Sequence, residues 1–324
     1  MNRHWLLASL FLLIVNPSLL SAQEVVVHEA WGVHMETGGG WIAAEKGFYG
    51  NVKMNEDQGG LGVSPIQNVV HSLKQGKLAF GVDYPENILR AREKERIDLV
   101  AVSVDLQSSA MRIISWKPII SSRDIKGVFG IWPGLDVKIK CVIGKGWEKQ
   151  LIIQNQGEDI RLWLAGGWPF SSAMTYHELI TAQREVKRMG KTFYTIDYKH
   201  FGINWMDLAL FTTGDVIKKY PSLVQAIVTG RYRGFQWALE NPRESFEILK
   251  KIREDLDFVR EMDAVSPLMF LMISPETKKQ GLGYVLPQKW GKLARDMFKA
   301  GLLEQMPDVR KTYTERFPSG VMPK

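Results

Sequence analysis

The chain has 324 residues, 45% of them hydrophobic and 24% charged, with a formal net charge of +7. That is long enough for two domains with proper cores and too apolar for a disordered chain. Lys and Arg alternate with acids, as in Lys250-Lys251-Ile252-Arg253-Glu254-Asp255, so no basic block interleaved with aromatics marks a nucleic-acid surface, and the single cysteine, Cys141, rules out an internal disulfide.

The chain opens with the basic run Asn2-Arg3-His4, then an apolar run from Leu6 to Val15, a break at Pro17-Ser18, and Leu20-Ser21-Ala22 before Gln23. Basic start, apolar middle and small residue at the cut predict a secretory signal peptide over residues 1–22. The run is shorter than the roughly 20 apolar residues of a membrane span. A periplasmic protein starting near Gln23 is expected. No cysteine at the cut offers a lipid anchor.

Glu24 to His28 reads as a first strand, followed by a glycine turn at Gly38-Gly39-Gly40 and a helix from Trp41 to Lys46, stopped by Gly47. Next come strand 52–54, helix 65–73, strand 78–82, helix 86–95 and strand 99–104. Strands alternating with helices predict a mainly parallel α/β sheet. The pattern restarts with strand 128–131, a Pro133-Gly134 turn, and strands near 150–153, 173–176 and 193–196, separated by helices 159–164 and 177–189. Residues 137–143 read as strand by β-branching and as helix by the turn and Asp136 before them. After Phe211 the chain reads as helical. Leu223, Ile227, Tyr232 and Trp237 form an apolar face over Pro221–Leu239. The expected architecture is two-lobed α/β, each lobe a mainly parallel sheet flanked by helices. Lobe 1 is expected over 23–114 plus 210–324, with a helical C-terminal tail on it, and lobe 2 over 115–209.

Several segments together resemble a known family. They are Ala43-Ala44-Glu45-Lys46-Gly47-Phe48-Tyr49, Gly76-Lys77-Leu78-Ala79-Phe80-Gly81-Val82, Ser121-Ser122-Arg123-Asp124-Ile125-Lys126-Gly127, Gly234-Phe235-Gln236-Trp237-Ala238-Leu239-Glu240-Asn241-Pro242 and Thr312-Tyr313-Thr314-Glu315-Arg316-Phe317. Their order resembles the SsuA/TauA/NMT1-like solute-binding proteins of ABC importers. The resemblance implies the type 2 periplasmic binding protein fold, a small-molecule ligand between hinged lobes, an ABC permease and its ATPase as partners, and a monomer with no cofactor. Val100-Ala101-Val102 with Gln107-Ser108-Ser109, and Met174-Thr175-Tyr176-His177-Glu178, resemble the branch that binds thiamine-pyrimidine precursors. That branch shows W-x-P-N-x-x-H after the first strand. This chain has Trp31-Gly32-Val33-His34-Met35-Glu36-Thr37, with no proline and with Thr37 at the histidine position.

In such a fold the ligand lies outside the carboxyl ends of the strands. The candidates are Trp31 and Glu36 after the first strand, Asp83, Tyr84 and Glu86 after the 78–82 strand, and Gln107 and Ser108 in the crossing segment, with Ser109 beside them. Trp132, Tyr176, Glu178, Trp205 and Asp207 come from the second lobe side. Flat aromatics with carboxylates suit a flat, neutral or basic heterocycle better than a sulfonate. Glu178 reads equally as a cap of its helix, Asp83 as a turn residue before Pro85, and His34 and His177 as structural. No Gly-x-Ser-x-Gly, His-Glu-x-x-His or P-loop motif occurs, nor a metal-ligand spacing, so binding without turnover is expected. A sulfonate- or nitrate-type anion binder, a ligand-presenting sensor module and a periplasmic enzyme on the same scaffold are the alternatives.

Overall fold

Val25 and Val27 point to one face of the first strand and are fully buried, as a period of two requires. The structure, a computed structural model, describes residues 24–157 and 159–323. The expected signal peptide lies outside the described residues. The strands are β1 (Glu24–His28), β2 (Lys53–Asp57), β3 (Leu78–Asp83), β4 (Leu99–Leu106), β5 (Met111–Ser115), β6 (Gly127–Ile131), β7 (Leu151–Asn155), β8 (Phe170–Met174), β9 (Tyr194–Asp197) and β10 (Asp207–Thr213). They form two five-stranded sheets, in the orders β2-β1-β3-β10-β4 and β7-β6-β8-β5-β9. Each sheet holds one reversed strand, β10 in the first and β5 in the second, antiparallel to both its neighbours. The other four strands of each sheet run together. The architecture is therefore two-lobed and α/β, with each sheet mainly parallel.

The helices are α1 (Gly38–Glu45), α2 (Pro65–Lys74), α3 (Pro85–Glu95), α4 (Val137–Ile143), α5 (Arg161–Leu164), α6 (Glu178–Arg188), α7 (Gly214–Lys219), α8 (Pro221–Glu240), α9 (Pro242–Ile252), α10 (Phe258–Met272), α11 (Thr277–Gln280) and α12 (Pro287–Lys299). Pro at the first helical position starts α2, α3, α8, α9 and α12. On α2 the Ser64 side chain also accepts from the Gln67 amide. The ambiguous segment 137–143 is helical, although Asp136 caps nothing and pairs with Lys140 at 2.5 Å instead.

Two expectations fail for identifiable reasons. Gly38-Gly39-Gly40 is the first turn of α1 and not a turn before it. A Cβ on Gly39 would stand 2.3 Å from Phe235, and one on Gly234 would stand 1.9 Å from the Gly39 carbonyl. The glycines are there because α1 and α8 cross almost backbone to backbone. The reversed strands β5 and β10 were not foreseen, because neither is flanked by a helix on both sides. The chain passes to the second sheet between Leu106 and Met111 and returns between Asp197 and Asp207. Leu208, just after the return, holds φ +57° while buried, a strained backbone for a leucine.

Under the first sheet, Glu56 of β2 is half-buried, its Oε2 is shut off from water without a partner, and Tyr49 donates to its Oε1 at 3.0 Å. Burial pushes this carboxyl up to about 8, against an unfolded value of 4.5. The folded state therefore binds the extra proton between those values, and stability falls as pH rises through that window, by at most about 1.4 kcal/mol per unit. Glu56→Gln keeps the neutral hydrogen-bonding shape and should remove that slope. Urea unfolding at acidic, neutral and alkaline pH checks this, and identical slopes for both proteins would refute a buried, protonated Glu56.

Candidate functional site

The ends of four strands, β1 and β2 of the first sheet and β6 and β8 of the second, build one cavity between the lobes. Below β1, Thr37 ties the loop that follows: its hydroxyl donates to the Gly32 carbonyl at 2.9 Å and accepts from the His34 amide at 3.2 Å. Beside it, Gly59 and Gly60 donate to the carbonyls of Trp31 and Ala30 at 3.0 and 3.1 Å. A Cβ on Gly59 would lie 2.1 Å from the Glu29 carbonyl, so only glycine lets the two loops pair. Trp31 is thereby fixed from both sides, and its Nε1 donates to the Tyr84 hydroxyl at 3.1 Å. From the second lobe, Trp132 follows β6 and Tyr176 follows β8. The Trp132 ring meets the Trp31 ring edge-on at 6.1 Å.

The cavity has a volume of about 310 Å³, enough for a small ligand, and Trp31, Glu36, Trp132, Tyr176 and Glu178 all line it. Arg253 and Arg260 close one side, and Gly59 to Leu61 another. His34 and His177, read from sequence as structural, also line it, with ring centroids 5.6 Å apart across the lobes. Sequence reasoning missed both arginines. Their only signal was position after α9 and in the first turn of α10, which means nothing until the helical tail is seen to return to the cleft.

Most charged groups facing this cavity already have partners. Glu178 accepts from the Met174 amide at 3.0 Å and from His177 Nδ1 at 2.6 Å, so it ties the end of β8 and its neighbouring histidine and does not cap α6. Burial works against the charged form of His177, but the Glu178 carboxylate prevails and holds its pKa above the ordinary value. Glu261 accepts from His34 Nδ1 at 2.8 Å and from the Met35 amide at 2.9 Å. Burial opposes its charge, yet the His34 hydrogen bond holds it below the usual carboxylate value. Arg253 forks onto Asp255 and lies 2.5 Å from His34 Nε2. Glu36 is 8% exposed and makes no side-chain hydrogen bond to another described residue. Burial raises its pKa.

One ligand atom each from His34, Glu36 and Glu261 falls within 4.8 Å of the others, a spacing open to a metal ion. The chemistry fits a dication poorly. Both His34 nitrogens are engaged, and the guanidinium on Nε2 is a permanent cation that a metal ion would have to face.

The remaining candidates go elsewhere. Asp83 and Tyr84 line a neighbouring groove of about 390 Å³ on the other side of Trp31. Asp83 accepts from the Tyr84 amide and from Asn87, and burial pushes it up to about 6. Glu86 is fully buried against Lys138 at 2.5 Å and lines neither of these two cavities. Asp207 takes the same lysine at 2.9 Å and the Ala110 amide at 2.9 Å. Trp205 is wholly buried, with Nε1 donating to Asp296 at 2.9 Å, a core residue by every contact it makes. Gln107 Nε2 donates to the carbonyls of Val104 and Tyr284 while its Oε1 is buried without a hydrogen-bond partner among the described residues, Ser109 accepts from the Met111 amide, and Ser108 lies buried between them.

A model of the NMT1/THI5-like family matches residues 36–245. No curated protein matches the sequence. Among solved structures the chain is similar to the periplasmic nitrate-binding protein of Synechocystis, at TM-score 0.65 and 13% identity, over 92% of this chain and 87% of that one. It is also similar to the periplasmic aliphatic sulphonate-binding protein of Escherichia coli, at TM-score 0.61 and 12% identity, covering 94% and 95%. A third is the zinc-bound ligand-binding component of an ABC-type import system from Staphylococcus aureus, at TM-score 0.66 and 9% identity, covering 93% and 100%. At these identities the likeness shows the fold, that of the periplasmic binding proteins.

Proposed function

We propose, from the premise that this chain belongs to the NMT1/THI5-like family, that it is the periplasmic solute-binding subunit of an ABC importer and captures a small flat organic ligand by lobe closure. The observation that carries the reading is the cavity itself: Trp31 from one lobe, Trp132 and Tyr176 from the other, and the carboxylates Glu36 and Glu178 among them. Rings stack on ring faces, each pair contributing about 0.5–1.5 kcal/mol beyond burial. A carboxylate desolvated by closure needs an N–H donor or a cation opposite it. A thiamine-pyrimidine precursor or related amino-heterocycle meets both demands. A sulfonate or nitrate could meet Arg253 or Arg260 in the same lining but would bring no donor to Glu36. The permease and ATPase of the importer are the partners this reading requires, with the monomer as the working unit.

A thermal-shift screen of aminopyrimidines, flavins, sulfonates, nitrate and amines tests it. The true ligand at a hundredfold excess over Kd should add about 2.7 kcal/mol of stability and be recovered unaltered. Trp31→Ala and Tyr176→Ala should each weaken binding about tenfold or more, from lost stacking and burial together. A screen in which only sulfonates or nitrate shift the melting point would overturn the heterocycle, and a chemically changed ligand would overturn binding without turnover.

A further inference from the structure

Two groups at this cavity keep unfilled hydrogen-bonding capacity once the internal pairs are assigned. Glu178, Glu261, His34, His177 and Arg253 are satisfied by one another, by Asp255 or by the backbone, as described above. Glu36 remains, a carboxylate nine-tenths buried, lining the cavity with no side-chain donor on it. Arg260 remains on the other account. Its Nε is buried without a hydrogen-bond partner among the described residues, and its Nη2 makes only a long ion pair with Glu261, at 3.6 Å. Arg260 lines the same cavity. An unmade hydrogen bond at a buried charged group is costly, and here the two residues concerned, of opposite charge, line a single cavity.

We infer that the ligand is bipolar: a flat ring bearing an N–H donor or cationic group that meets Glu36 and an anionic group that meets Arg260. This rests on the reading of the cavity as the ligand site and narrows its chemistry. The guanidinium presents a fixed fork suited to a carboxylate or phosphate oxygen pair, and it stays charged at any pH the protein meets. Glu36 supplies the complementary acceptor. A ligand with only one of these groups leaves the other residue desolvated and short of a hydrogen bond, which sets the specificity.

The test uses the full mature chain and calorimetry with five probes: the 2-, 3- and 4-isomers of (aminomethyl)benzoate, benzoate and benzylamine. At least one bipolar isomer should bind about tenfold or more tightly than both single-charge probes, the worth of one charge-assisted hydrogen bond. Glu36→Gln should abolish that advantage over benzoate, and Arg260→Gln the advantage over benzylamine, with each unliganded variant melting like the parent. Equal binding of bipolar and single-charge probes would overturn the inference without any variant being needed. So would a neutral aminopyrimidine binding where every bipolar isomer fails, and that outcome would leave the cavity reading intact. Failure of every probe here and of every compound in the broader screen would instead remove the cavity reading itself.

Discussion

Arg231→Leu should destabilise the protein by about 3–5 kcal/mol, because it strips from a buried acidic cluster the guanidinium that pairs with both its carboxylates. Arg231 sits on α8 and is 1% exposed. Its Nη1 donates to Glu29 at 2.5 Å, while Nε and Nη2 fork onto Asp105 at 3.2 and 2.7 Å. Tyr232 adds its hydroxyl to the same aspartate at 2.8 Å. One helix is thereby bound to the end of β1 and to β4. Removing the guanidinium leaves Glu29 and Asp105 facing each other in the interior, and burial already raises Glu29. Arg231→Lys should recover little, since an ammonium cannot serve two carboxylates as a fork. Glu29 also precedes Ala30 and Trp31, so the variant should lose ligand binding beyond what its lower stability explains. Urea unfolding and calorimetry on the same samples check both points. A loss below about 1 kcal/mol, typical of exposed ion pairs, would mean that water reaches the cluster.

How far the sequence carried this structure depends on the kind of contact. Segments held by local rules were legible: Pro65 and Pro85 start helices, and Leu78 to Val82 is a strand because its β-branched and aromatic residues fill a buried sheet. Trp31, Trp132 and Tyr176 are candidates by one positional rule, that ligand-side residues follow parallel strands, and the structure brings all three to one cavity. The rule failed for Glu86, which also follows a strand. Its partner Lys138 lies 52 residues away, and nothing local distinguishes that lysine from a solvated one. The Gly38 to Gly40 run reads as a turn because glycine in a helix is costly. The reason to accept that cost, Phe235 and Gly234 pressed against it, is almost two hundred residues distant. The charged pairs His34–Glu261 and Arg231–Glu29 likewise span more than two hundred residues. Long-range ion pairing has no periodicity to read.

Lys138→Met should cost about 3–5 kcal/mol and should also shift the balance between open and closed lobes. Lys138 lies on α4 in the second lobe with no exposed surface. Its ammonium reaches Glu86 on α3 at 2.5 Å and Asp207 at the start of β10 at 2.9 Å, both equally buried and both carried by first-sheet elements. The rings of Tyr84 and Trp205 stand 5.2 and 5.6 Å from it. Burial works against its charge, but Asp207 and Glu86 prevail and hold its pKa above the ordinary 10.5. Its contribution is therefore complete below that unfolded value and is lost only as pH rises through the higher folded one, so the variant's deficit should be constant across neutral pH. Met leaves two carboxylates without a cation. Combining it with Glu86→Gln and Asp207→Asn removes the charges together, and this triple variant should recover much of the loss, because replacing a whole buried ion group is often near neutral. The triple variant still lacks the electrostatic tie between the lobes. With its stability restored, its unliganded form should be more open in small-angle scattering and bind ligand more weakly, since closure must then be driven by the ligand alone. A triple variant as compact and as tight-binding as the parent would mean that apolar packing, and not Lys138, joins the lobes on this side of the cleft.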